Sequence, residues 1–203
     1  MEMKGKLPIE EAESIASRIA GVLMGQAKAF RRVEIAGSIR RRKPLVGDIE
    51  LVGEIDPELE FDATSRIKTA LRMANVRRGD PTIRTDGVTV KAPWGDRYLK
   101  GIHEGAGTAV QIDLFVVRSP AEWGPVFLIR TGSAEFSQAM VTRLHRFGLR
   151  CEDGRILKQV GSQVERVPCG GEERFFELVG LPYLPPEERD IALPNTWALV
   201  GGP

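Results

Sequence analysis

Residues 47–55 read GDIELVGEI, and they follow residues 37–43, GSIRRRK, after only three intervening residues. Apolar Ile49 and Leu51 alternate with acidic Asp48 and Glu50. That period of two predicts a strand over Asp48–Ile55, with both carboxylates on one face and the apolar side chains on the other. Two acids side by side repel unless a cation sits between them, either a neighbouring arginine or a hard metal ion such as Mg2+. A second stretch, VQIDLFVV at 110–117, repeats the pattern, with Ile112 and Leu114 on one face and Asp113 on the other. If the two strands are neighbours, three carboxylates converge at the sheet surface, and three oxygen donors there suit two divalent ions. An isolated D-x-E on a strand is more often the solvated face of a half-buried sheet, so the stretch preceding it decides the chemistry.

That preceding stretch has the features of an anion cradle. A turn at Gly37-Ser38 exposes backbone N–H groups to a phosphate, and the Ser38 hydroxyl adds a donor. Arg40, Arg41, Arg42 and Lys43 supply positive charge, and arginine can hold phosphate oxygens through two parallel hydrogen bonds. A cradle for anions followed by ligands for metals is what a metal-bound triphosphate requires.

The chain as a whole sets bounds. It has 203 residues, 42% hydrophobic and 28% charged, with a formal net charge of +1, the composition of a soluble globular protein rather than a polycation. Any nucleic-acid binding must therefore come from local patches. No apolar run is long enough to span a bilayer, and the first residues, MEMKGKLPIEEAE, lack the apolar core of a secretory signal. A cytoplasmic or DNA-associated protein without membrane contact is expected, with a monomer as the default. Cys151 and Cys169 have no metal or redox spacing and read as free thiols. Helical spacing follows Pro8 to about Gly25, and helices are expected over 63–74, 134–147 and 172–179. Strands are expected around 31–37, 48–55 and 109–117, and a hairpin turns at Asp153-Gly154. The pattern is α+β: a mixed-sheet lobe over residues 1–118 and a smaller α+β lobe over 119–203.

At this point the residues resemble a known family, the polymerase beta-like nucleotidyltransferase core of family X DNA polymerases. The family's G-S-x-R-R and G-D-x-D segments are similar to Gly37-Ser38-Ile39-Arg40-Arg41 and Gly47-Asp48-Ile49-Glu50, and its third acid to Asp113. Its T-G-S-x-x-F segment resembles Thr131-Gly132-Ser133-Ala134-Glu135-Phe136, and its closing L-G-L-P-Y-x-P-P-E-x-R resembles residues 179–189, VGLPYLPPEER. The resemblance implies a nucleotidyltransferase palm with a C-terminal lobe that contacts the nucleotide and base pair. It implies DNA primer, template and dNTP as partners, and two Mg2+ ions, or Mn2+, as cofactors. Asp48, Glu50 and Asp113 would be the catalytic metal ligands. Gly37, Ser38, Arg40, Arg41, Gly47, Thr131, Gly132, Ser133, Phe136 and Ser137 would bind the nucleotide. Arg97, Lys100, Arg130 and Arg143 are the expected nucleic-acid contacts.

Several positions depart from the family pattern. The second acid is Glu50 in place of aspartate, and its extra methylene moves the carboxylate outward. Ile129-Arg130 stands where the family has an aromatic pair, and Ser137 and Val141 replace an asparagine and an arginine that reach the base-pair minor groove, so base-pair checking is expected to be weak. The residues before Leu7 leave no room for helix-hairpin-helix modules and there is no counterpart of the lyase lysine, so no deoxyribose-phosphate lyase activity is expected. Two other functions compete with a polymerase: nucleotidyl transfer to an RNA end, protein or small molecule, and a non-catalytic nucleotide or nucleic-acid binding module. His103 and His145 read as structural or surface residues. Trp94 reads as an aromatic covering the sheet, with base stacking as the alternative.

Overall fold

The structure is a computed structural model that describes residues 5–105 and 107–190. The unassigned stretch ALPNTWALVGGP, residues 192–203, lies outside the described residues. The chain forms two compact units, Met1–Arg118 and Ser119–Pro203.

In the first unit Pro8, with φ −57°, leads into α1 (Ile9–Val22), whose buried stripe is Ala12, Ile15, Ala16 and Ile19. The helix continues as a π-helical turn over Leu23–Ala27 and ends at Lys28 in the left-handed region, two residues beyond Gln26. Then follow β1 (Phe30–Ile35), the single turn α2 (Gly37–Arg40), β2 (Asp48–Ile55), α3 (Ala63–Met73), β3 (Val76–Arg78), β4 (Tyr98–Gly105) and β5 (Thr108–Val117). The five strands make one mixed sheet in the order β1-β2-β5-β4-β3. Strands β2 and β5 pair in parallel and every other pairing is antiparallel. Ile49, Leu51, Ile55, Ile112 and Leu114 share one face and join α1 and α3 in a single core. Burying each such side chain contributes about 1.5–3 kcal/mol. The other face is thereby left to the even positions of β2 and the odd positions of β5, which carry the acids. Thr82–Ile83 and Thr89–Val90 form a two-residue antiparallel ladder apart from the main sheet.

The second unit holds α4 (Trp123–Thr131), α5 (Ala134–Leu144), β6 (Leu149–Glu152), β7 (Arg155–Val160), β8 (Gln163–Val167) and α6 (Glu172–Leu178). Its three strands form an antiparallel sheet in the order β6-β7-β8. Asp153 and Gly154 both have positive φ, +50° and +78°, which matches the twist of the two-residue hairpin between β6 and β7. Its own core gathers Leu128, Phe136, Met140, Phe175, Phe176 and Val179. The α+β class with a mixed sheet is the architecture observed.

Candidate active site

The β2–β5 register decides where the acids meet. Glu50 stands opposite Asp113, and Asp48 stands opposite Gln111. On the other side of β5, Lys100 of β4 also stands opposite Asp113. Register partners share a face, so Asp48, Glu50, Asp113 and Lys100 occupy one patch of the sheet. Asp113 is buried and accepts hydrogen bonds on both oxygens: from the Tyr98 hydroxyl to Oδ1 at 2.7 Å and from the Gln111 amide to Oδ2 at 2.7 Å. Burial pushes the Asp48 carboxyl above the usual carboxylate range, the Asp113 carboxylate adds to the rise, and Lys100 and Arg41 act against it. A group pushed this way by a like charge is relieved by a cation.

Strand β1 delivers the cradle to the same place. The Ala36 N–H donates to the Glu50 carbonyl at 2.9 Å, which sets the Gly37-Ser38 turn beside β2. Gly37 has a left-handed φ of +63°, and the Glu50 carboxylate packs over its Cα so closely that no side chain fits there. Ser38 Oγ is buried and makes no hydrogen bond. An orphaned hydroxyl of this kind costs about 1–3 kcal/mol unless a ligand supplies the partner. The turn is held from behind, since the Arg41 N–H donates to the Gly37 carbonyl and the Lys43 N–H to the Ser38 carbonyl. Arg42, with φ +57°, turns away and pairs with Glu13 of α1 at 3.4 Å. Arg40 and Arg41 remain on the cradle side of the sequence, and Gly47 is exposed with open space at its Cβ position.

The donors on this face are hard oxygens, the set preferred by Mg2+ and Mn2+. Among the described residues no three His, Cys, Asp or Glu side chains form a group that could hold a metal ion as they stand. The carboxylates fit such ions in chemistry, charge and shared face. A cavity of about 390 Å³ lies elsewhere in this unit, lined by residues that include Arg72, Arg77, Arg78 and Trp94 and none of the three acids. Its arginines are largely committed: Arg77 bonds Asp80 and Glu104, and Arg78 bonds the Ala92 carbonyl.

In the second unit, Thr131, Gly132 and Ser133 join α4 to α5. The Ser133 side chain caps α5 by accepting from the Phe136 N–H at 3.1 Å, and the Ser133 N–H donates to the Arg189 carbonyl at 2.9 Å. A Cβ on Gly132 would stand 2.4 Å from Phe136 Cδ1.

Residues 126–190 match the family described as DNA polymerase beta thumb. A solved structure described as Leishmania infantum polymerase beta, a ternary P/T complex, is 17% identical and superposes with a TM-score of 0.72 over 93% of this chain and 78% of that chain. No curated protein matches the chain. The fold of the chain is similar to that of a polymerase beta. The likeness covers the fold of both units, and in residues 126–190 it extends to sequence.

Several of the residues expected at the site lie in the interior of the second unit. Arg143 is not an exposed cation: it is buried, its Nε donates to the Val179 carbonyl at 2.7 Å, and its guanidinium lies 5.9 Å from the Phe147 ring centroid. Burial lowers its pKa accordingly. Phe136 is fully buried in the core of the second unit, and Ser137 is buried with its hydroxyl on the Ile129 carbonyl at 2.9 Å. Thr131 is likewise buried, so it shapes the turn from inside. Gly132 and Ser133 remain half-exposed and Arg130 is exposed. In the first unit Arg97 is half-exposed, and Lys100 belongs to the acid face itself. His103 is a structural residue, with Nδ1 donating to the Ala74 carbonyl at 2.9 Å and Nε2 accepting from Arg18 at 3.0 Å. Trp94 packs on the core and bridges to Leu99. Two site residues escaped the sequence reading, Tyr98 and Gln111. Gln111 lies two residues before Asp113 on a strand, and that spacing alone places it on the acid's face. Tyr98 has no such signal, because its place depends on the β4–β5 register.

Proposed function

We propose that the chain is a nucleotidyltransferase that adds a deoxynucleoside monophosphate from a dNTP to the 3′-hydroxyl of a DNA primer. The observation that carries this reading is the β2–β5 register, which sets Glu50 against Asp113 with Asp48 on the same face, beside a Gly37-Ser38 turn whose buried hydroxyl lacks a partner. The polymerase beta thumb match and a fold neighbour described as a ternary P/T complex support DNA and dNTP as the partners.

In the proposed reaction the primer oxygen forms a bond to the α-phosphorus, the bond from that phosphorus to the bridging oxygen breaks, pyrophosphate leaves, and the hydroxyl proton passes to solvent. Asp48, Glu50 and Asp113 would hold Mg2+, as two ions, or Mn2+. Bound there, such ions neutralise charge on the attacking and leaving oxygens. The protein's own share is positioning and charge. Ser38 and the backbone around Gly37 and Gly47 receive triphosphate oxygens, with Arg40 and Arg41 supplying positive charge. Arg97 of the first unit offers a cation to the DNA backbone, and Gly132, Ser133 and Arg130 are the accessible residues of the second unit's turn.

The test is extension of a labelled primer, alone, on a template and across a one-nucleotide gap, with Mg2+ or Mn2+, comparing the unchanged chain with Asp113→Ala. Metal-dependent extension that disappears in Asp113→Ala supports the proposal. Nucleotide binding with no extension on any of the three substrates would overturn it in favour of another acceptor.

A further inference from the structure

We infer that Tyr98 is a positioning residue for Asp113, holding the carboxylate in the orientation that the proposed nucleotidyl transfer uses; this rests on the function proposed above. Asp113 is a buried acid whose two side-chain hydrogen bonds both come from neutral donors, 2.7 Å from the Tyr98 hydroxyl and 2.7 Å from the Gln111 amide. The nearest register partner carrying positive charge, Lys100, makes no hydrogen bond or ion pair with it among the described residues. Fixing the plane of this carboxylate therefore falls to the tyrosine and the amide.

Tyr98 is not placed by its hydroxyl. In the β4–β5 register it stands opposite Phe115, and the two rings stack with centroids 4.8 Å apart and planes 6° from parallel. The stack sets the ring, and the ring aims the hydroxyl at Oδ1 before any ligand arrives. A carboxylate offers about four lone-pair sites. Two are taken by Tyr98 and Gln111, and the remaining pair can face a cation and the reacting groups. Outer groups that hold a ligating carboxylate in this way typically contribute 10- to 100-fold to metal affinity or activity.

Tyr98→Phe deletes the hydroxyl and keeps the ring on Phe115, so it separates aim from packing. Mn2+ binding by the whole chain, measured by calorimetry without nucleotide or DNA, is expected to weaken by about 10-fold or more in Tyr98→Phe. The kcat of primer extension is expected to fall by a similar factor with the dNTP KM unchanged and the thermal midpoint held. Wild-type Mn2+ affinity and wild-type kcat in Tyr98→Phe would overturn the inference while leaving the proposed function standing. Failure of the unchanged chain to bind Mn2+, or Asp113→Ala with full binding and extension, would overturn the proposed function and this inference with it. If Tyr98→Phe lowers the thermal midpoint, Phe115→Leu serves as the packing control: the inference requires Tyr98→Phe to lose more Mn2+ affinity than Phe115→Leu at equal loss of stability, and it fails if the two match.

Discussion

A Cβ on Gly37 would stand 2.2 Å from Oε2 of Glu50. The turn that would receive phosphate and the acid that would receive metal therefore share one van der Waals surface. Any side chain at position 37 must push Glu50 aside and also accept a left-handed φ of +63°. Gly37→Ala is expected to cost about 1–2 kcal/mol from the backbone alone and to weaken dNTP binding. Gly47→Ala, where the new methyl meets open space, is expected to stay near wild type in stability. Thermal denaturation and nucleotide titration of the two variants side by side check this.

Arg189 is fully buried, paired with Glu172, and its guanidinium lies 5.9, 5.3 and 5.2 Å from the ring centroids of Phe136, Phe176 and Tyr183. Nη2 has no hydrogen-bond partner, so the site is already under-satisfied on one side. Removing one partner of such a pair leaves a buried charge alone. Glu172→Gln and Arg189→Met are each expected to destabilise by about 3–5 kcal/mol. The double variant Arg189→Met/Glu172→Leu is expected to recover part of that loss. Denaturant unfolding of the three variants tests it.

His103 supplies a pH dependence whose sign follows from burial. Desolvation, its main perturbation, lowers its pKa from 6.5, and Arg18 contributes in the same direction, against bonds to the backbone and the charge of Glu104. Above about pH 6.5 the ring is neutral in folded and unfolded chains alike, and it contributes no slope. Below that pH the unfolded chain takes up the proton first, so stability falls as pH falls, down to the lowered folded pKa. His103→Gln is expected to remove this part of the acid sensitivity, measured as thermal midpoint against pH between about 7 and 5.

The two thiols are expected to be inert. Burial pushes Cys151 up to about 11 and Cys169 up to about 12, against an ordinary value of about 8.5. Since the thiolate is the reactive form, alkylation by iodoacetamide at pH 8 should be slow for both until denaturant is added. Cys151 is the sharper case because it is only half-buried, so protection there reports its pKa more than its cover. Mass spectrometry of labelled native and unfolded chain distinguishes the outcomes.

Local patterns in the sequence were legible where period and composition agreed. The alternation in GDIELVGEI places β2 at Asp48–Ile55, and Phe175, Phe176 and Val179 anchor the helix near 172 as their spacing implies. Pairing between distant strands is not a local property. The pattern cannot say that β2 and β5 run in parallel, and the meeting of Glu50 with Asp113 and of Tyr98 with the same acid depends on that register. Arg143 differs for another reason: it is expected as a nucleic-acid contact, yet a carbonyl at Val179 and the ring of Phe147 give its charge a place inside. β8 is missed because Gln163–Val167 is exposed along nearly its whole length, and an edge strand without a buried face has no alternation to read.

The hydrogen bond from the Ser133 N–H to the Arg189 carbonyl has a consequence for the order in which the protein can be made. It spans 56 positions of sequence, by subtraction of 133 from 189, and joins the N-cap of α5 to Arg189. Every strand of the first unit is complete by Val117, so on a ribosome that unit can settle while the rest is still being synthesised. The second unit must wait: until residue 189 emerges, the α4–α5 turn lacks its backbone acceptor and the aromatic cage lacks its cation. A chain stalled short of that point would present a finished first unit followed by a lobe with an open end.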